Sequence, residues 1–303
     1  MIVRERIHWT RMLFAWHGSV LPRILPQLLV ITGFSFVVLF LHSTRYGRLF
    51  AVSPTIFTLI GISLAIFVGF CNTASYDRYW EGRKLWGSLV NETRSLVRET
   101  MAWMPGLSPE DQQHFARLNA AFAWALNDEL RKKDSKNLQR LLSPAEMDAI
   151  EKKHFKPVAI LDLMANWLAV KHREGLIDSM QLSATDKRLS VMSEIVGGCE
   201  RILNTPLPFA YHVLLHRVVY IYCFLLPFGL LEVLHWMMPF LVMFISYTFI
   251  SLDAIVDDIG EPFGEAANDL ALNSICRTIE YSVFEQTGVA QAPLQQPTSH
   301  FID

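Results

Sequence analysis

Two histidines, His212 and His216, are four residues apart, a spacing that places both imidazoles on one helix face and can hold a metal ion. No glutamate completes an H-E-x-x-H pattern with them, so we expect a packing or interfacial role instead. The chain also lacks a G-x-S-x-G turn, a Walker A phosphate loop and a Cys-His arrangement with a recognisable signature. We therefore expect neither an enzyme nor a bound cofactor.

An apolar segment at residues 54–71 carries two ridges, each with a four-residue repeat. The small ridge consists of Gly61, Ala65 and Gly69, and the large apolar ridge of Ile62, Ile66 and Phe70. Small residues let membrane helices pack closely, whereas rings of large apolar side chains around an oligomer axis form a constriction that gates by dewetting. Ordinary packing or lipid contact is the commoner use of such stripes, and the pattern alone favours that interpretation.

The composition places this segment in a membrane protein, with 51% hydrophobic and only 18% charged residues and a mean hydropathy of +0.26. Spanning the hydrocarbon core takes about 20 helical residues. The apolar runs of that length lie at 24–41, 54–71, 213–234 and 236–256. The sequence thus predicts an all-α integral membrane protein with four transmembrane helices. Arg217 falls inside the third run, and its depth and partner stay open, with Glu232 or Asp253 as candidate carboxylates.

The positive charges indicate the orientation, because 19 of the 27 Lys and Arg residues lie between Arg78 and Arg201. That region and both termini should be cytoplasmic. The predicted division is 1–23 as a cytoplasmic or interfacial N-terminal helix, 24–77 as the first transmembrane hairpin, 78–208 as a cytoplasmic helical bundle, 209–256 as the second transmembrane hairpin, and 257–303 as a cytoplasmic C-terminal segment and tail.

The middle region shows helix starts rather than strand patterns. Ser108-Pro109 and Ser143-Pro144 each combine an N-cap residue with proline in the first turn. Its basic residues alternate with acidic ones, which is typical of a solvated helical face, so we expect no nucleic-acid partner. The four cysteines are widely spaced and indicate neither a disulfide framework nor a metal site.

The run Y-D-R-Y-W-E-G-R-K-L-W-G at 76–87, shortly after Gly69-Phe70, resembles the bestrophin family and specifically its bacterial branch. Other stretches agree with the family in the same order: His17-Gly18-Ser19, Cys199–Ile202, Thr205–Tyr211, Ser246–Asp253 and Glu261–Gly264. The resemblance covers the chain up to about residue 285. It implies a homopentameric ion channel in a lipid bilayer, the bacterial inner membrane, with four membrane helices per subunit and a large cytoplasmic helical region.

The resemblance also implies roles for individual residues. The family's pore neck of three apolar rings matches Ile62, Ile66 and Phe70. A second, cytosolic constriction matches Met180, for which a buried bundle methionine is an equally weighted alternative. Animal members have an acidic calcium clasp after the Pro-Phe-Gly motif, but here only Glu265 and Asp269 are available. Calcium takes six to eight oxygen ligands, so we expect no calcium activation.

The permeant ion stays open at this point. Animal members pass chloride, and some bacterial relatives favour monovalent cations such as sodium, while the rings carry no charge that selects a sign. The alternative to an ion channel is a protein of another functional class, a membrane-anchored scaffold whose cytoplasmic bundle binds a partner protein.

Overall fold

The computed structural model describes residues 8–13, 15–16, 18–42, 53–134 and 136–289. These residues are helical and contain no strand, which confirms the all-α class. The helices are α1 Trp9–Leu13, α2 Leu21–His42, α3 Pro54–Trp103, α4 Pro109–Arg131, α5 Asn137–Leu141, α6 Pro144–Glu151, α7 Lys156–Arg173, α8 Ser179–Asn204, α9 Phe209–Leu234, α10 Met238–Gly260 and α11 Leu272–Thr287. His17, the predicted loop before span two and the tail beyond 289 lie outside the described residues.

The chain divides into two compact units. The apolar unit contains the described residues 8–79 and Pro206–Glu261, and the bundle unit contains Trp80–Thr205 and residues 262–289. Helix α3 contributes to both units, because its 50 residues run without a break through the predicted end of the second span near Cys71. The segment at 72–79 contains neither proline nor glycine, so nothing in it stops the helix.

Three helical stretches of the described residues are long and apolar enough to cross a membrane: Leu21–His42, Pro54–Trp103 and Phe209–Gly260. The third stretch consists of α9 and α10, which pack against each other and are joined by a 3-10 turn at His235–Met237. His235 has a φ of +44° and a ψ of −119°, a non-helical conformation that ends α9 there. The four apolar runs of the sequence fall on α2, α3, α9 and α10, with the fourth beginning two residues before α10.

The core of the apolar unit lies where α2, α9 and α10 pack together, with the first part of α3 against them. Its buried side chains include Ile31, Leu64, Val219, Leu226 and Val242. The closest approach is at Gly229 of α9, where a Cβ atom would lie 2.2 Å from Cδ2 of Phe57 on α3. Only glycine fits at this crossing.

The bundle unit is built around α4, which is buried on almost every face and packs against α7 and α11. Ser108 caps α4, with its hydroxyl accepting a hydrogen bond from the Asp111 backbone N–H, and Ser143 forms a capping box with Glu146 at the start of α6. Both predicted helix starts are thus confirmed.

Candidate functional site

The large apolar ridge lies on the side of α3 that points away from the core of its own chain. Leu64 and Val68 are buried, whereas Ile62, Ile66 and Phe70 are 55%, 57% and 71% exposed. Successive residues of an α-helix are rotated by about 100° around its axis, so Ile66 lies about 200° around the axis from Leu64. Three large apolar side chains are therefore available to line a surface that the single chain does not cover.

The hydroxyl groups next to this ridge donate hydrogen bonds to backbone carbonyls of the same helix. Ser63 donates to the Leu59 carbonyl at 3.0 Å, and Thr73 donates to the Gly69 carbonyl at 3.0 Å. These i to i−4 hydrogen bonds satisfy the hydroxyl protons within α3. The ridge face consequently offers little polar attraction to an ion that has lost water.

The small ridge splits between two environments. A Cβ atom on Gly61 would lie 2.8 Å from the Tyr222 hydroxyl oxygen, so Gly61 packs against α9 within the chain. Ala65 is exposed, and a Cβ atom on Gly69 would meet nothing within 4 Å. Ala65 and Gly69 therefore lie on a side of α3 that the described residues of this subunit leave open.

Met180 lies in the first turn of α8, after an Asp178 N-cap whose carboxylate accepts hydrogen bonds from the Met180 and Gln181 backbone N–H groups. Its side chain is 85% exposed. This exposure disagrees with a methionine buried in the bundle. It leaves the side chain free to line a passage or a subunit contact.

An ion-pair cluster ties together α2, α9 and α10 of the apolar unit. Arg23 pairs with Asp257 at 2.9 Å and with Asp258 at 3.0 Å. The two histidines also lie beside carboxylates, with His216 Nδ1 2.9 Å from Asp253 and His212 Nδ1 3.2 Å from Asp257. The expected packing role of these histidines thus takes the form of contacts with acidic side chains.

Arg217 is exposed on α9. No ion pair joins it to Glu232 or Asp253 in the described part of the chain, where Asp253 contacts His216 instead.

The two calcium candidates have protein partners. Asp269 accepts a hydrogen bond from the Ala266 backbone N–H at 2.7 Å, and Glu265 pairs with Lys133 at 2.5 Å. Arg131, whose side chain is 3% exposed, donates to the backbone carbonyls of Phe263 at 3.3 Å, Gly264 at 3.0 Å and Leu270 at 3.4 Å. A guanidinium cation therefore occupies the carbonyl-lined centre of this segment. No group of three metal-binding side chains was found among the described residues.

Two glutamates of the bundle unit have strongly shifted acidities. Burial, together with the neighbouring Glu200 carboxylate, raises the pKa of Glu129 to about 7. A hydrogen bond from His114 at 2.7 Å, supported by the Ser143 cap, lowers the pKa of Glu146 to about 2. Glu129 and Glu200 are 71 positions apart in the sequence, so no local pattern predicts that they meet.

Sequence reasoning also missed Asp77, which lies two helical turns beyond Phe70 and is exposed on the same face of α3. The seven-residue interval from Phe70 was a usable signal, because it keeps the register of the apolar ridge. Asp77 makes no ion pair with another described residue.

These features define a class: an all-helical membrane protein whose longest helix presents three uncharged, apolar side chains away from its own core. Residues 1–285 match the family described as Bacterial/Fungal Bestrophin protein, and the chain belongs to that family of ion channels. The family resemblance found in the sequence is thereby confirmed.

Individual relatives match over nearly their whole length. A voltage-dependent anion channel-forming protein of Ralstonia nicotianae is 42% identical over 95% of this chain and 95% of its own. The voltage-dependent anion channel-forming protein YneE of Escherichia coli K12 is 41% identical, with 99% of both chains covered. The crystal structure of a bacterial bestrophin homologue from Klebsiella pneumoniae is 38% identical, with a TM-score of 0.84, and covers 89% of this chain and 100% of that chain.

Proposed function

We propose that five copies of this chain surround a pore that passes monovalent ions and whose neck is formed by rings of Ile62, Ile66 and Phe70. The observation that carries the proposal is the exposure of these three apolar side chains on one face of α3, opposite its buried face. In a monomer this ridge would meet only lipid. In a ring of subunits it lines a narrow passage in which ions must shed water, a geometry that gates by wetting and dewetting.

The proposed subunit has four transmembrane helices, α2, the first part of α3, α9 and α10, and lies in the bacterial inner membrane. The pairing of α9 with α10 through a tight turn supports two spans in that stretch rather than one. The basic residues between Arg78 and Arg201 support cytoplasmic termini and a cytoplasmic bundle unit, because Lys and Arg near spans are retained in the cytoplasm.

In the pentamer the exposed Ala65 and Gly69 allow close approach of a neighbouring subunit's helix. Met180 forms the cytosolic constriction, and its 85% exposed side chain is available for that role. Calcium has no part in the proposed gating, since Arg131 and Lys133 already neutralise the segment that contains Glu265 and Asp269.

The proposed ion is an anion, as the names of the Ralstonia and Escherichia relatives state for those proteins. The alternative is a monovalent cation such as sodium, and one observation favours it. Asp77 continues the ridge register beyond Phe70, so five copies would place a ring of carboxylates next to the neck.

Purified protein in liposomes tests the channel proposal, with chloride and sodium fluxes recorded separately under a salt gradient. Flux of either ion supports a channel, and a reversal potential under asymmetric salt gives the sign of its charge. Absence of flux under every gradient would instead favour the membrane-anchored scaffold. Asp77→Asn then discriminates between the ions, because removing an acidic ring lowers cation flux and leaves or raises anion flux.

Native mass spectrometry of the detergent-solubilised protein tests the stoichiometry. The proposal predicts a pentamer. A stable monomer or dimer would leave a five-fold pore without walls and would overturn it.

A further inference from the structure

The apolar unit has an open groove of about 370 Å³ between α3 and α9. Its lining includes Leu59, Ile60, Ser63 and Phe67 of α3 and Leu214 and Val218 of α9. The hydroxyl of Ser63 donates to the Leu59 carbonyl at 3.0 Å and is thus satisfied within its own helix. The groove therefore presents an apolar surface, which suits a hydrocarbon chain better than a polar ligand.

A cation lies at the rim of this groove. Arg217 is exposed on α9 and shares one helix face with Leu214, Ile221 and Leu225, which are 50%, 58% and 47% exposed. Leu214, which lines the groove, lies about 60° around the helix axis from Arg217. A positive charge is thus placed next to an apolar groove, on a helical stretch that is apolar enough to cross a membrane.

Arg217 has no acidic partner in the part of the chain that the structure describes. Its guanidinium makes no ion pair or hydrogen bond there. The nearby carboxylates of α10 have other partners, since Asp253 lies 2.9 Å from His216 and Asp257 lies 2.9 Å from Arg23. A charged side chain within a membrane span is costly unless something compensates it. An anion from outside the described chain would supply that compensation.

The position of Arg217 along α9 suits a lipid phosphate. Arg217 follows Phe209, the first residue of α9, by eight positions, a distance of about 12 Å along the helix axis. Side chains of a helix tilt toward its N-terminus, and a long arginine side chain extends in this way to the membrane interface. The planar guanidinium then matches a phosphate group, which it binds through two hydrogen bonds.

We propose that Arg217 and the α3–α9 groove together bind an anionic phospholipid. The phosphate pairs with Arg217, and one acyl chain of the same lipid lies in the groove. A zwitterionic phospholipid fits less well, because the cation of its own headgroup competes for the phosphate and adds a like charge beside Arg217. The proposal rests on the membrane placement of α3 and α9 proposed above, but not on the pore.

Native mass spectrometry of the full-length protein tests the preference for the headgroup. Protein purified in a neutral detergent is titrated with dioleoyl phosphatidylglycerol or with dioleoyl phosphatidylcholine, which have the same acyl chains. We expect the anionic lipid to bind about fivefold more tightly per subunit, the effect of one arginine near the membrane surface.

Variants assign the contacts. Arg217→Gln should lower phosphatidylglycerol binding to the level of phosphatidylcholine, and Arg217→Lys should keep most of the preference because it keeps the charge. Ser63→Leu fills the groove and should weaken the binding of both lipids. Lys152→Gln removes an exposed positive charge that pairs with Asp148 in the bundle unit, and this control should keep the preference.

Equal binding of the two lipids to the unmodified protein would overturn the proposal, and so would an unchanged preference in Arg217→Gln. Absence of bound lipid, together with loss of the oligomer in Ser63→Leu, would show that a second copy of the chain fills the groove instead. A preserved lipid preference in a protein that passes no ions would overturn the channel and leave this site standing. If Ser63→Leu fails to fold, the comparison of wild type with Arg217→Gln still decides the matter.

Discussion

Two methionines on α8 have opposite environments, which separates a role in conduction from a role in stability. Met180 is 85% exposed and Met192 is fully buried. Met180→Ala should change the free energy of unfolding by less than about 0.5 kcal/mol, whereas Met192→Ala should cost about 2–5 kcal/mol. If Met180 forms the cytosolic constriction, its replacement by alanine raises the ion flux. Unchanged flux, with an unchanged melting temperature, would remove Met180 from the pathway.

Glu129 makes the free energy of unfolding of the bundle unit depend on pH. Below its ordinary pKa of 4.5 the carboxyl is protonated in both the folded and the unfolded chain. Between 4.5 and about 7 the folded protein keeps a proton that the unfolded chain has lost, so the free energy of unfolding falls as pH rises.

Glu129→Gln removes this dependence and should make the protein more stable than wild type at pH 8 but not at pH 4. Thermal melting at several pH values measures the difference. Glu151→Gln, at an exposed position, is the matched control and should show no such trend. Parallel pH profiles for wild type and Glu129→Gln would refute the assignment.

At the scale of helices, two glycines predict opposite effects of the same substitution. Gly229→Ala places a Cβ atom 2.2 Å from the Phe57 ring, and this overpacking should cost about 1–3 kcal/mol. Gly33→Ala on α2 meets nothing within 4 Å and should stabilise its helix by about 0.5–1 kcal/mol. Melting temperatures in one detergent compare the two variants. A shift of the same sign in both would contradict the described packing of α9 on α3.

Arg131 joins α4 to the segment between α10 and α11 through three carbonyl groups. Arg131→Met keeps an unbranched apolar stem but removes the guanidinium donor from the part-buried Phe263 and Gly264 carbonyl oxygens, so the unfolding free energy should fall by about 1–3 kcal/mol. Proteolysis within residues 262–270 should also become faster. Lys152→Met, at a pair that is exposed on both sides, is the control. Equal stability of the two variants would show that Arg131 does not hold the segment.

Local signals explain which helices were predictable. Ser108 and Ser143 begin their helices because the cap, the proline and the acidic residue lie within four positions of each other. The apolar runs likewise predict α2, α9 and α10 from length and composition. The uninterrupted passage of α3 from one unit into the other has only a negative signal, the lack of proline and glycine at 72–79, because a polar sequence follows an apolar one at that point.

The candidate site likewise contains features that a local sequence pattern predicts and features that it does not. The four-residue spacing of Ile62, Ile66 and Phe70 is a property of one helix and is visible in the sequence. The contacts of Arg131 with residues 263–270, and of Glu129 with Glu200, join segments more than 70 positions apart. They depend on tertiary packing, which periodicity does not encode.

At the scale of the whole molecule, the proposed pore gives one face of α3 a function that the other exposed apolar faces lack. Val30 on α2 is 60% exposed and Ile66 on α3 is 57% exposed, so solvent exposure in the single chain does not distinguish them. The proposed pentamer does, because it turns Ile66 toward the ion pathway and leaves Val30 outside it. Both side chains are β-branched aliphatics of similar size.

The most direct measurement is the macroscopic current of the reconstituted protein in planar bilayers, compared for wild type, Ile66→Ala and Val30→Ala. We predict that Ile66→Ala increases the current several-fold, because a wider and less apolar neck wets more easily, and that Val30→Ala leaves the current unchanged. Equal currents for Ile66→Ala and wild type, or an equal rise in both variants, would contradict the neck.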